Sequence, residues 1–290
     1  MTSSRGVGAR LQHGSNTVSE VLRLSTEHLA AKGSETPRLD AERLLAKALG
    51  LERIELYMAI DRPLTPPELD AARALVARRA RREPLQYVLG EWGFRRLTLT
   101  VDQRALIPRP ETEVLVERAL ALLVGLDRPR VLDVGTGSGA VALAIADEHG
   151  GAVVTGLDSS ADALALAADN VARTGLVVDL VRHDLFDGLP AGPWDLIVSN
   201  PPYVDAADLP TLQPEVRDWE PHAALSAAGA VDAVVRGAVR VLAPGGSLAL
   251  EVGAGQTDAT AALIRTLGLV EVRVTPDLRG LDRVVEGVRR

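Results

Sequence analysis

The sequence predicts an α/β protein: a mixed, mostly parallel seven-stranded sheet with helices on both faces, preceded by a small helical domain. Three observations carry that prediction. Apolar residues recur at helical spacing through residues 17–84. Near residue 97 the spacing shortens to the alternation of a strand. From Pro108 onward, strand-like and helix-like segments follow one another to the end of the chain.

Residues 1–16 contain Ser, Gly and Arg and lack an apolar stretch, so they read as a flexible tail and not as a signal peptide. Thr17 and Glu20 have capping-box spacing ahead of Val21, Leu22, Leu24 and Leu29. Leu39, Leu44, Leu45, Ala48 and Leu49 form a second helical face that Gly50 ends. Thr65-Pro66-Pro67-Glu68 opens a third helix through Leu69, Ala72, Leu75 and Val76, with Pro84 as its stop. Arg78, Arg79, Arg81 and Arg82 then read as a solvated helix face, with a partner-facing role as the rarer alternative. Gln86–Leu89, the turn material Gly90–Gly93, and the alternating Leu97, Leu99 and Val101 predict a β-hairpin linking the helical domain to the rest. The expected domains are thus 17–84, a linker 85–107, and 108–290.

In the last domain, strands are expected at Arg130–Val134, Val153–Asp158, Val177–His183, Leu196–Ser199, Ser247–Val252, Val270–Val274 and Arg283–Val288. Helices are expected at Ala140–Glu148, Ala161–Thr174, Val231–Leu242 and Thr257–Leu267. No helix fits between the last two strands, so those two should run antiparallel.

Composition narrows the chemistry. The chain has no cysteine, which excludes disulfides, thiolate metal sites and cysteine nucleophiles. The five histidines, His13, His28, His149, His183 and His222, show no metal-ligand spacing. No apolar run has the length of a membrane span, and the cytoplasm is the expected location. The net charge is −7, unevenly spread. Residues 1–84 carry 14 basic and 11 acidic side chains, while residues 85–290 carry 18 and 28. The acidic part is a poor partner for nucleic acid.

Val131-Leu132-Asp133-Val134-Gly135-Thr136-Gly137-Ser138-Gly139 is a strand, a glycine turn and a helix start. Glycines let a backbone turn tightly and approach a ligand closely. Asp158, at the next strand end, is placed to accept hydrogen bonds from both hydroxyls of a ribose. Gly135, Gly137 and Ala140 also satisfy a dinucleotide pattern. Asp133 tips the balance to S-adenosylmethionine, because a carboxylate there can meet an α-ammonium group and has no such partner on a pyrophosphate. The plainer alternative makes Asp133 a brace of the glycine loop. Asp184, after the third strand, is placed for an adenine amino group, with Leu185 or Phe186 on the ring. A turn aspartate is the alternative.

Asn200-Pro201-Pro202-Tyr203 follows the fourth strand, at the same sheet edge. Prolines leave their carbonyls free as acceptors, and Asn200 adds a side-chain carbonyl. Two acceptors can each take one N–H of a planar amide or amino nitrogen, weaken its delocalisation and stabilise the positive charge that alkylation creates. Tyr203 can stack on the flat group. A Pro-Pro turn with a core tyrosine is the alternative.

The chain resembles the HemK/PrmC family of release-factor glutamine N5-methyltransferases. The resemblance rests on Gly135–Gly139, Asn200–Tyr203 and the run Leu106-Ile107-Pro108-Arg109-Pro110-Glu111-Thr112-Glu113. Arg82–Tyr87 with Gly90 and Phe94, and Glu215-Val216-Arg217 with Glu220-Pro221, also match. It implies a Rossmann-like class I methyltransferase fold and methylation of the glutamine in the Gly-Gly-Gln motif of peptide chain release factors. It further implies that Asn200 and the prolines bind that glutamine. Leu185 stands where some relatives have tryptophan, and the N-terminal tail is longer than theirs. Arg109 shapes the cofactor entrance or forms a rigid helix lead-in. Because the target nitrogen of an adenine N6-methyltransferase is also planar, that activity, like methylation of a ribosomal-protein glutamine, is an alternative. The oligomeric state is not written in the pattern; a monomer is expected.

Overall fold

The computed structural model describes residues 16–290, so most of the expected tail lies outside the described residues. The described residues divide into two compact units, one ending at Gly90 and the other spanning Glu91–Arg290.

The first unit is helical: α1 (Val18–Ala31), α2 (Pro37–Leu49), α3 (Arg53–Met58), α4 (Pro66–Arg79) and α5 (Leu85–Leu89). Thr17 caps α1 by accepting from the Glu20 N–H at 3.4 Å. Both halves of the capping box form at Thr65 and Glu68 on α4. Leu22, Leu29, Leu44, Leu45, Leu56 and Leu69 fill the interior.

Two expectations change here. Gln86–Leu89 is a short helix and not a strand, because Gly90 adopts a left-handed conformation that closes a helical turn instead of opening a hairpin. The basic run is solvated only in part: Arg81 is exposed, but Arg79 is not. Arg79 is buried and donates to Asp40 at 2.8 Å, and Asp40 also accepts from the Ser34 and Thr36 hydroxyls. Arg78 pairs with Glu83. The helical period turns Arg79 inward, where the Asp40 carboxylate, itself held by two hydroxyls, pairs with its charge.

The second unit opens with the hairpin of β1 (Glu91–Phe94) and β2 (Leu97–Thr100), then α6 (Thr112–Leu122). The sheet strands and intervening helices are β3 (Arg130–Val134), α7 (Ala140–Glu148), β4 (Val153–Asp158), α8 (Ala161–Thr174), β5 (Asp179–Arg182) and β6 (Trp194–Ser199). After the short helices α9 (Pro214–Arg217) and α10 (His222–Leu225) come α11 (Ala230–Val241), β7 (Leu242–Glu251), α12 (Thr257–Thr266), β8 (Leu269–Pro276) and β9 (Asp282–Arg289). The seven-stranded sheet has the order β5-β4-β3-β6-β7-β9-β8, with β9 antiparallel to both neighbours.

The central strands are apolar on both sides because helices cover both faces. Val131, Leu196, Val198 and Ala249 pack with α6 and α7 on one face, and Leu132, Ile197, Leu248 and Leu250 pack with α11 and α12 on the other. Each fully buried side chain of this kind contributes about 1.5–3 kcal/mol. The period of two sends Asp133 and Glu251 to the α6–α7 face, since each follows a residue of the opposite face.

The parallel strands β3 and β6 lie side by side, and the direction of winding across the sheet reverses between them. From β3 the chain winds outward through β4 and β5, and from β6 it winds the other way to β7. That is the topological switch point where open α/β sheets bind ligands.

Candidate active site

Strand register assembles the site. Val134 pairs with Ser199, and Ser199 pairs with Leu250. The residues that follow, Gly135, Asn200 and Glu251, therefore end three adjacent strands side by side. Leu157 pairs with Val134, which adds Asp158 to the same edge. The Ser199 hydroxyl donates to the Val134 carbonyl at 2.7 Å and ties the two central strand tips together.

The glycine loop is held from beneath. The Gly135 and Thr136 N–H groups both donate to the Leu157 carbonyl at 2.9 Å, and the Gly137 N–H donates to Asp158 Oδ2 at 2.9 Å. Thr136 packs over Gly156, where an added Cβ would lie 2.7 Å from the Thr136 hydroxyl oxygen. Gly139, at φ +81°, starts α7 so close to α8 that a Cβ would come within 3.3 Å of Ala167. Ser138 is buried, and its carbonyl accepts from Asn170 at 2.9 Å. Gly135, in contrast, is exposed, and a Cβ there would meet nothing within 4 Å. The loop thus presents bare backbone outward.

Asp133 is 1% exposed beneath this loop. Its Oδ2 accepts from the Thr136 hydroxyl at 2.7 Å and the Ala142 N–H at 3.2 Å. Burial pushes its pKa up to about 7, against the pull of these two donors. The geometry therefore gives Asp133 the bracing duty. Asp158 is half-buried, and its second oxygen accepts from the Ser160 N–H at 2.9 Å. Asp184 is exposed and caps a turn by accepting from the Phe186 N–H at 2.9 Å; Leu185 is half-buried and Phe186 is 56% exposed.

Asn200 differs from these carboxylates. Its Nδ2 donates to Thr112 Oγ1 at 3.1 Å, while no hydrogen bond from a described residue reaches its Oδ1 or the Pro201 carbonyl. Tyr203 is held at both ends: its hydroxyl donates to Glu251 Oε1 at 3.2 Å, and its carbonyl accepts from Gln256 at 3.0 Å. Burial raises the Glu251 pKa, with the Thr112 and Tyr203 hydroxyls and the Arg283 charge pulling it back. The Tyr203 pKa is raised by burial and then by the Glu251 charge.

Sequence reasoning did not single out Thr112, Glu251 or Gln256 for this role. A signal existed for Glu251, which interrupts the apolar run Leu248-Ala249-Leu250 at a strand tip. Arg109 pairs with the buried Glu220, which also accepts from the Ile107 N–H at 3.1 Å. Two sequence segments 111 residues apart are thereby joined. Among the described residues, no three metal-ligating side chains cluster, and no helix is long and apolar enough to cross a membrane.

A sheet of this order, with a glycine loop and an Asn-Pro-Pro-Tyr turn side by side at its switch point, defines a class I methyltransferase. A 16S rRNA N2 G1207 methyltransferase from Thermus thermophilus, solved with AdoMet and guanosine, shares the fold. It superposes with a TM-score of 0.51 at 20% identity, covering 69% of this chain and 50% of that one. Residues 20–90 match the PrmC N-terminal domain, and residues 111–213 match the methyltransferase small domain. A release factor glutamine methyltransferase from Geobacter sulfurreducens is 46% identical over 277 residues, covering 93% of this chain and 96% of that protein. One from Cereibacter sphaeroides is 43% identical, covering 92% and 96%. The chain belongs to the release factor glutamine methyltransferase family.

Proposed function

We propose that this enzyme transfers the methyl group of S-adenosylmethionine to the side-chain nitrogen of a glutamine, the one in the Gly-Gly-Gln motif of peptide chain release factors. The observation that carries the chemistry is the pair of unpartnered acceptors, Asn200 Oδ1 and the Pro201 carbonyl, beside the glycine loop. The names of the relatives supply the substrate.

The residues present suit the cofactor. Asp133 and Asp158 bond the glycine turn and Asp184 follows the neighbouring strand β5, an acidic setting for a cationic nucleoside. Gly135, Thr136, Gly137, Ser138 and Gly139 would lie against it. Asp158 would accept from the ribose, Asp184 with Leu185 would face the adenine, and Asp133 would add its negative charge near the ammonium. When bound, the cofactor supplies an electrophilic methyl on a sulfonium.

The protein's work falls on the nucleophile. An amide nitrogen is weak because its lone pair is delocalised into the carbonyl. Asn200 Oδ1 and the Pro201 carbonyl each accept one N–H, which localises the lone pair and later stabilises the positive charge on nitrogen. Pro202 stiffens the turn, and Tyr203 covers the flat amide and excludes water. Alkylation makes the remaining proton acidic, so no strong base is needed beforehand.

In this reading the enzyme is a cytoplasmic monomer with no direct nucleic-acid partner, the last of these supported by the acidic charge of residues 85–290. The test is mass spectrometry of an unmethylated release factor incubated with enzyme and cofactor. A gain of one methyl on the target glutamine, abolished by replacing that residue, is expected. No transfer to the release factor, or methyl transfer to DNA adenine with salt-sensitive DNA binding, would overturn the proposal.

A further inference from the structure

Three residues of one short segment, the join between β7 and α12, meet Tyr203. Glu251 ends β7, and its Oε1 accepts from the Tyr203 hydroxyl at 3.2 Å. Gln256 directly precedes α12, and its Nε2 donates to the Tyr203 carbonyl at 3.0 Å. Between them, the buried Gly253 lies against the ring: an added Cβ would stand 3.3 Å from Tyr203 Cδ2 and 3.0 Å from Gln256 Oε1. Hydroxyl, ring edge and main chain of the tyrosine are thus all held by the same stretch of chain.

That stretch is itself tied. The Gly253 N–H donates to Gln256 Oε1 at 3.1 Å, and the Gln256 N–H donates back to the Gly253 carbonyl at 3.0 Å. These partners leave the Gln256 carboxamide one orientation. A main-chain N–H can only donate and a main-chain carbonyl can only accept, so Oε1 must face Gly253 and Nε2 must face Tyr203. Glu251 is 1% exposed, and its Oε2 has no hydrogen-bond partner among the described residues. An apolar side chain would hold a buried strand tip at less cost, so the carboxyl points to a duty toward the tyrosine.

We propose that Glu251, Gly253 and Gln256 are positioning residues that fix the Tyr203 ring as the wall against which the target amide lies, and that the Tyr203 hydroxyl acts through Glu251 and not on the substrate. The inference rests on the glutamine-methylation reading above, but the placement of the ring exists without substrate.

The first variant is Gly253→Ala. The φ of Gly253 lies outside the left-handed region, so the backbone accepts alanine and only the Cβ intrudes. Turnover on an unmethylated release factor should fall at least about tenfold, toward the ~10²-fold that a 1 Å misplacement costs. S-adenosylmethionine affinity and release-factor KM should stay within about threefold, because alignment is lost and docking is not. Gln256→Glu keeps the acceptor for Gly253 but sets an oxygen against the Tyr203 carbonyl, and should lose turnover likewise. Glu251→Leu removes the acceptor for the hydroxyl and should also lose turnover, whereas Glu251→Gln keeps an acceptor and should recover most of it. Tyr203→Phe combined with Glu251→Leu should be no worse than the poorer single variant, within about twofold, since both remove one interaction.

A second readout needs no methyl transfer. The chain has three tyrosines, so the ring signals of Tyr203 in a tyrosine-labelled NMR sample are assigned by their loss in Tyr203→Phe. They should shift in Gly253→Ala and Gln256→Glu while those of Tyr57 and Tyr87 stay in place, which separates a moved ring from a damaged fold. If Glu251→Leu does not fold, these two variants carry the test. Wild-type turnover, or Tyr203 signals that do not move, in folded Gly253→Ala and Gln256→Glu would overturn the proposal, as would fully additive losses in the double variant or failure of Glu251→Gln to rescue. A wild-type enzyme that does not methylate the release factor would instead sink the functional reading, while the ring signals still decide whether the segment places Tyr203.

Discussion

The two halves of the site use polar groups in opposite ways. At the glycine loop, the carboxylates are engaged by the protein itself: Asp133 accepts from the Thr136 hydroxyl and the Ala142 N–H, and Asp158 from the Gly137 and Ser160 N–H groups. What faces outward there is bare main chain at Gly135. At the Asn-Pro-Pro-Tyr turn Asn200 Oδ1 and the Pro201 carbonyl have no partner among the described residues, and the supporting bonds attach to Asn200 Nδ2 and to Tyr203. A cofactor site can thus be a shape with fixed charge behind it, whereas a site that activates a weak nucleophile must keep specific lone pairs uncommitted.

The contrast predicts which half is sensitive to what. Asn200→Ala should show the largest effect, a loss of about 10²–10³ in turnover with cofactor affinity retained, by comparison with removal of one group that stabilises transition-state charge. Single-turnover kinetics with cofactor titration would measure both. Full activity in this variant would erase the distinction between the halves.

Asp133→Ala should act through the loop. It strands two buried donors and should lower stability by about 1–3 kcal/mol in a denaturant titration, with cofactor affinity falling in parallel. If stability is unchanged, the bracing role fails.

Asp133 also predicts a pH response. Its folded pKa of about 7 lies above its ordinary value, so at low pH both folded and unfolded chains hold the proton and nothing is lost. As pH rises toward 7, the unfolded chain gives up the proton first, and this group increasingly disfavours folding. Above about 7 the penalty is constant. A cationic ligand favours the ionised form, so cofactor affinity should rise roughly tenfold between about pH 6 and 8. Calorimetric titration of wild type against Asp133→Asn would show the rise in the first and its absence in the second.

Asp184→Ala should show the smallest effect. The residue is exposed and caps its own turn, so a drop in cofactor affinity of about threefold is expected from one solvent-exposed hydrogen bond. A loss as large as that at Asn200 would place the adenine half on equal terms with the nucleophile half.

Much of this was legible in the order of residues. β3, β4, α7 and α8 begin and end where period and caps place them, because each is long, strongly patterned and bounded by Gly, Ser or Asp. The glycine loop and Asn-Pro-Pro-Tyr were readable because their chemistry is local: consecutive residues set the turn. Two readings went otherwise. Gly90 closes a helix instead of a hairpin, and Arg79 turns inward because Asp40, 39 residues away, waits there with its two hydroxyls. Asp133 is buried beneath the glycine loop and bonds Thr136 and Ala142, as the bracing alternative already offered by the sequence expects.

From the sequence alone came the layered α/β architecture, the glycine turn and the presence of a carboxamide and two prolines at a strand end, since all of these follow from short-range periodicity and backbone restriction. Only the folded chain decided which lone pairs stay unpartnered. That depends on strand register, which ends β6 and β7 side by side at Asn200 and Glu251, and on α6, which brings Thr112 to Asn200; hydrogen bonds between such distant residues are set by packing, not by neighbours in the chain.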